Sequence, residues 1–289
     1  VLSLIPLLAL FLWFGISYGL KPLRQVASEL SQRNADSMQP IATDDLPGEV
    51  KPLVNSLNDL LRRLEQAFTM QKHFIADAAH ELRTPLAVLR IHAQNAQQAE
   101  DPADRDEALR QLGSGVERAT RVVTQLLTLA RLDPSVTQLA MVELDLLGFV
   151  RNELAELTPL ALERHQELTL EAVEPGDYRL TADGPSLGTL LQNLVGNAVQ
   201  YSPPGGHIQV VLEAASQELI LRIQDSGPGV ADAQREKLFE RFYRLGVGQG
   251  AGLGLSIVQR VVELHRGSIS LDDSPLGGLQ VCVRLPRNG

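Results

Sequence analysis

The sequence predicts a multidomain architecture: a transmembrane helix, two α-helical modules of which the second is a dimeric four-helix bundle, then an α/β sandwich. Three observations predict it. Residues 1–20 carry no charge. Apolar residues recur at alternating spacings of three and four from Val54 to Phe68 and again from Leu109 to Ala130. Beyond Pro134, short strand-like runs alternate with helical stretches.

The uncharged stretch from Val1 to Leu20 is long enough to cross about 30 Å of hydrocarbon as a helix. Lys21 and Arg24 follow at once, as at a cytoplasmic exit, which implies contact with membrane lipid and an inner-membrane location. Because the chain starts with Val inside the apolar run, it reads as a fragment of a longer protein. Lys21-Pro22-Leu23 opens a helix that ends near Met38, and Pro suits a first turn, where its missing N–H would be unpaired anyway. Pro40, Asp44-Asp45 and Pro47-Gly48 mark a connector over 39–48.

A second helix then carries the seam Val54, Leu57, Leu61, Leu64 and Phe68. Counting in sevens from Leu61 reaches Phe68, Ile75, Leu82, Leu89 and Ala96, so one register runs through the segment FIADAAHELRTPL. With Ile75 at a and Ala78 at d, His80 falls at f, facing solvent. A neighbouring carboxylate, Glu81, is placed to orient the imidazole or take its proton. Pro85 is expected to bend the helix. Glu100-Asp101-Pro102 breaks it, and Leu109, Leu112, Val116, Ala119, Val123, Leu126 and Ala130 form a second seam. Two seams make half a core, which a homodimer would complete as a four-helix bundle.

In the C-terminal part, strands are expected at 167–172, 207–213, 218–224, 267–271 and 278–285, with helices at 145–165, 184–200 and 253–265. Asn193 and Asn197 share one helical face. Asp225 ends a strand-like run and opens DSGPG, where Gly227 and Gly229 let backbone approach a flat ligand, and a carboxylate suits an adenine amino group. Gly250, Gly252 and Gly254 lead into a helix starting at Leu255, whose free N–H groups favour phosphate. Neither a GxxxxGK[ST] loop nor a GxGxxG turn after an opening strand is present. The 26 basic against 35 acidic residues exclude the basic surface a nucleic-acid partner needs. Cys282, alone in the chain, permits no intrachain disulfide. His73, His92, His165, His207 and His265 lack zinc-ligand spacing and read as surface or packing residues.

In this order, with Phe239-Glu240-Arg241-Phe242-Tyr243 before the last glycine cluster, the motifs resemble the sensor histidine kinases of bacterial two-component signalling over nearly the whole chain. The subgroup that looks most similar holds the periplasm-sensing quorum and polymyxin-resistance kinases. The resemblance implies a HAMP module over 21–70, a dimerisation and phosphotransfer domain over 71–133, and a Bergerat-fold ATP-binding domain over 134–289. It further implies that His80 is phosphorylated from Mg-ATP, that Glu81 is its base and that Thr84 serves dephosphorylation of the partner, a response-regulator receiver domain. Asn197 would hold Mg²⁺, Asn193 a phosphate or the metal shell, and Tyr201 part of the nucleotide pocket. Residues 230–249 would form a lid over the nucleotide, with Phe239 and Phe242 as apolar anchors. The family often has a basic residue where Gln200 stands, which leaves Arg235, Lys237, Arg241 and Arg244 as substitutes. A non-catalytic scaffold that binds nucleotide and regulator, and a stand-alone ATPase of the same fold, remain as alternatives.

Overall fold

The computed structural model describes residues 10, 11, 13, 14, 21, 28, 39–42, 47, 48, 50–132, 139–173, 176–245 and 252–287. Two compact units result, Val1–Ala79 and His80–Gly289, and a helix α1, Lys51–Gln98, contributes residues to both.

In the first unit, Ile41, Val50 and Val54 form a small core at 3%, 9% and 1% exposure, with Leu57 and Leu61 packed against it. The connector is pinned there by Asn58. Its Oδ1 accepts from the Ile41 N–H at 2.7 Å, and its Nδ2 donates to the Ile41 carbonyl at 3.0 Å. One amide thus satisfies both backbone groups of a residue outside any ladder. The expected first helix of this unit lies outside the described residues apart from Lys21 and Ser28.

The membrane assignment is corrected. Among the described residues no helix is long and apolar enough to cross a membrane. Helix α1 has the length but carries charged residues along it. The helix Gly184–Tyr201 has no charge, but Gln192, Asn193, Asn197 and Gln200 dilute its apolar content. Of the stretch 1–20, Leu10, Phe11, Trp13 and Phe14 are described, and the rest of that expectation lies outside the described residues. The transmembrane helix, the inner-membrane location and the lipid contact are therefore withdrawn.

The second unit begins with the remainder of α1, which continues through Pro85. Asp101 caps α2, Pro102–Arg131, by accepting from the Ala103 N–H at 2.9 Å. The two helices approach closely where Gly115 meets Leu89: a Cβ on Gly115 would stand 2.7 Å from the Leu89 Cδ2. The inward stripe of α2, Ala108, Gly115, Leu126 and Leu129, is buried. A neighbouring apolar stripe stays in solvent, with Leu109, Val116 and Val123 at 49%, 50% and 41% exposure.

The α/β part contains β1 Val142–Asp145, α3 Leu146–Leu162, β2 Glu167–Ala172, β3 Arg179–Ala182, α4 Gly184–Tyr201, β4 His207–Ala214, β5 Glu218–Asp225, a short α5 Asp232–Arg235, α6 Gly254–Leu264, β6 Ser268–Asp273 and β7 Leu279–Pro286. Strands β2-β4-β5-β7-β6 form one sheet, in which only β2 and β4 are parallel; β1 and β3 make a separate antiparallel pair. Ile208, Val210 and Leu212 of β4 are fully buried, while the residues between them are half-buried, so the strand turns one face to the helices. Leu187, Leu190, Leu191 and Leu194 of α4, with Ile257, Val258 and Val261 of α6, fill the layer between.

Buried His265, at the end of α6, ties the two helices together. Its Nδ1 donates to the Val261 carbonyl at 2.8 Å, and its Nε2 accepts from the Asp183 N–H at 3.0 Å. Asp183 in turn caps α4 through the Ser186 N–H at 3.0 Å.

Candidate functional site

The strand β5 ends at Asp225 because the chain leaves the sheet there into Ser226-Gly227-Pro228-Gly229. The Asp225 Oδ1 accepts from the N–H groups of Gly227 at 2.8 Å and Leu279 at 3.1 Å. Its carbonyl accepts from the Gly278 N–H at 3.1 Å. The β6–β7 turn therefore closes on this carboxylate, and only glycine allows it. A Cβ on Gly278 would stand 2.0 Å from Oδ1. Burial raises the Asp225 carboxyl above its ordinary range, against the Leu279 and Gly227 N–H groups, which favour the ionised form.

Asp225 lines a cavity of about 210 Å³ with Asn197 and Tyr201 of α4, Gly229, and the glycine-rich entry to α6, Gly252, Gly254 and Leu255. Gly252 has φ +68°, and a Cβ there would stand 2.8 Å from the backbone of Phe242 and Tyr243. The Phe242 N–H donates to the Gly252 carbonyl at 2.9 Å, with Phe242 itself at φ +65°. This pairing joins the end of the segment after β5 to the start of α6. Gly254 faces both asparagines: a Cβ on it would stand 3.1 Å from Asn193 Oδ1 and 3.3 Å from Asn197 Nδ2. Helix α6 starts without a side-chain cap, so its first N–H groups keep no partner of that kind.

Not every expected residue meets in the cavity. Asn193 turns its Nδ2 back to the Thr189 carbonyl at 2.8 Å and, like Gly227, Arg241 and Phe242, stands beside the lining rather than in it. Gly250 lies outside the described residues. Among the cations, Arg235 is engaged by Asp232, Asp273 and the Val230 carbonyl, whereas Arg244 lines the cavity. His80, exposed, and its half-buried neighbour Glu81 sit on α1 with exposed Thr84 one turn beyond His80.

Three contributors were not legible from the sequence. Gly278 acts across 53 positions on Asp225; its only signal is the pair Gly277-Gly278. His265 is a packing residue, buried as the sequence allows, but its two hydrogen bonds, to the Val261 carbonyl and from the Asp183 N–H, have no signal in the spacing. Gln125 of α2 lines the cavity, although its motif context is only that of a bundle helix.

Three family models match consecutive parts of the chain. They describe a Sensor protein PhoQ-like HAMP domain over residues 20–66, a His Kinase A (phospho-acceptor) domain over 70–135, and a Histidine kinase-, DNA gyrase B-, and HSP90-like ATPase over 182–289. Sensor protein kinase PmrB of Pseudomonas aeruginosa is 42% identical over 291 residues, which cover 99% of this chain and 60% of that protein. Sensor protein BasS of Salmonella typhimurium is 35% identical, over 88% of this chain and 70% of that protein. The chain thus spans about 60% of the length of PmrB and of comparable relatives. A crystal structure of histidine kinase ThkA in complex with the response regulator protein TrrA shares the fold, with a TM-score of 0.65 at 20% identity over 84% of this chain and 68% of ThkA.

Proposed function

This chain belongs to the sensor histidine kinases, related to the PmrB, QseC and BasS sensor proteins, and from that premise we propose that it phosphorylates His80 from Mg-ATP and passes the phosphoryl group to an aspartate of a response-regulator receiver domain. The single observation that carries the proposal is a division of labour. An exposed histidine stands beside a carboxylate on a bundle helix, and a separate cavity gathers Asp225, Asn197 and the glycine-rich start of α6.

The residues present fit a purine nucleotide with a divalent cation. Asp225 has both its N–H donors on Oδ1, which leaves Oδ2 for an exocyclic amino group. The start of α6 offers N–H groups and a positive dipole end to phosphate, and the missing Cβ of Gly254 keeps the approach to Asn197 open. Asn197 would hold Mg²⁺ through its amide oxygen, as suits an ion that takes few protein oxygens beside phosphates and water. Asn193 supports that face, Tyr201 and Gly229 border the base, and Arg244 supplies the cation missing at Gln200. The residues around Arg241 and Phe242 form the base of a lid over the phosphates.

Mg-ATP brings the phosphoryl group and its electrophilic phosphorus. The unprotonated His80 nitrogen forms the N–P bond as the P–O bond to the departing ADP breaks, and Glu81 orients the imidazole and accepts its proton. Thr84, four residues on from His80 and so on the same helix face, places water for the reverse task of dephosphorylating the regulator. The exposed stripe of Leu109, Val116 and Val123 is the seam that a second copy covers, and the active unit is a homodimer. The receiver partner is proposed by analogy with the ThkA–TrrA complex.

Incubation with γ-labelled Mg-ATP tests the reading. Acid-labile, base-stable label is expected in the natural chain and absent from His80→Ala and Asn197→Ala. Nucleotide binding without label would support a scaffold instead.

A further inference from the structure

The cavity is not built by the α/β layers alone, because Gln125 of bundle helix α2 lines it. Gln125 is half-buried, and the turns that follow are docked: Leu126, Leu129 and Leu132 are 9%, 7% and 6% exposed. Arg260 of α6 fastens the end of α2, its Nε donating to the Leu132 carbonyl at 3.1 Å while Nη1 bonds Glu263 at 2.7 Å.

These contacts orient one helix on the other. From Leu132 back to Gln125 is about 10 Å of helix, and from Arg260 back to Gly254 about 9 Å, at 1.5 Å per residue. Leu132 meets Arg260, and Gln125 shares a cavity with Gly254 and Leu255. The two helices therefore run side by side in the same direction, and Gln125 stands at the N-terminal end of α6. That end has no side-chain cap, and a helix N-terminus of this kind favours phosphate. A glutamine amide adds a donor and an acceptor there.

We infer that Gln125 is a nucleotide-contacting residue supplied by the bundle helix, its amide donating to the phosphate chain at the start of α6. The inference rests on the nucleotide reading above and deepens it: the bound nucleotide bridges the bundle and the α/β layers. Gly115 packs on Leu89, and in an antiparallel hairpin equal counting from that pair brings Thr124 opposite His80. Gln125 thus stands within one residue of the level of the phosphoacceptor.

The test is calorimetric titration of the full chain with Mg-ADP and, separately, with adenosine, for the natural sequence, Gln125→Ala and Gln125→Glu. All three residues are good helix formers, so the helix itself is little disturbed. Gln125→Glu is expected to weaken ADP binding about tenfold, through repulsion between carboxylate and phosphate, and adenosine binding less than about twofold. Gln125→Ala is expected to weaken ADP binding about three- to fivefold, the loss of one hydrogen bond. Unchanged ADP affinity in both variants, with the natural chain binding normally, would overturn the inference and leave the nucleotide reading intact. Equal losses for ADP and adenosine would overturn the phosphate contact. No ADP binding by the natural chain would overturn the nucleotide reading itself.

Discussion

The bundle helix α2 and the α/β layers bury their apolar residues in opposite ways. In the layers, Leu190, Leu219, Leu253 and Ile257 are all at 0% exposure, so the core closes within one chain. On α2 and the adjoining turn of α1, Val116 and Leu86 remain 50% and 58% exposed, although their spacing is as regular as that of any core helix. A monomeric surface does not keep so regular an apolar stripe in water without a use for it. The difference teaches that the α/β layers close their apolar core within one chain, whereas the histidine-bearing helices leave an apolar stripe that the second copy proposed above would cover.

The largest expected effect separates the two regions by activity. His80→Ala is expected to abolish labelling while nucleotide affinity stays unchanged, and Asn197→Ala to abolish labelling while the dimer persists. Loss of nucleotide binding in the first variant would break the division. Next comes the packing difference. Leu191→Ala, in the closed core at 1% exposure, is expected to lower the unfolding free energy by about 2–5 kcal/mol in denaturant titration. Val123→Glu, on the exposed stripe, is expected to convert dimer to monomer in sedimentation and to leave the α/β layers folded. A dimer that survives both this change and Val116→Glu would show that the stripe is not the seam.

A smaller effect concerns Asp225. Burial raises its carboxyl pKa in the folded chain, so the native state holds this proton more tightly than the unfolded state does. The group therefore stabilises the fold as pH falls through the folded value and costs stability above it. Asp225→Asn keeps an oxygen for the Gly227 and Leu279 N–H groups, so its melting temperature is expected to exceed that of the natural chain at neutral pH. That difference is expected to vanish below the unfolded carboxyl pKa of about 3.9. A lower melting temperature at neutral pH would mean that the N–H groups outweigh burial. The smallest effect is expected for Gly115→Ala, whose Cβ would crowd the Leu89 side chain, nearest at its terminal Cδ2, with the Arg118 guanidinium at 3.9 Å: a change within about 1 kcal/mol, since a rotation of Leu89 relieves the contact and the alanine also favours the helix.

The five strands of the main sheet and the helices α3, α4 and α6 were legible because each is long enough to show its period. The pair β1 and β3 was not, because Val142–Asp145 and Arg179–Ala182 are four residues each and pair only with one another. Site residues grouped in short motifs, such as Asp225 with its glycines, could be read as groups because the chain itself brings them together. Arg235 could not be told from Arg244, since both are cations after β5 and only packing ties one to Asp273 and sets the other in the cavity. The expectation of a span at 1–20 rests on the uncharged run and the cations that follow it, and among the described residues no helix supplies that span.

By itself, then, the sequence determined the periodic elements, the order of the motifs, the display of His80 on a helix and the carboxylate beside it. These depend on residues within a few positions of each other, where backbone geometry converts spacing directly into proximity. Tertiary structure alone decided that Gly278 closes on Asp225, that His265 joins α6 to the cap of α4, and that Gln125 lines the same cavity as Asp225 and Asn197. Those contacts bridge 53, 82 and 72 positions, the last measured to Asn197. At such separations proximity comes from the packing of layers, and spacing along the chain carries no record of it.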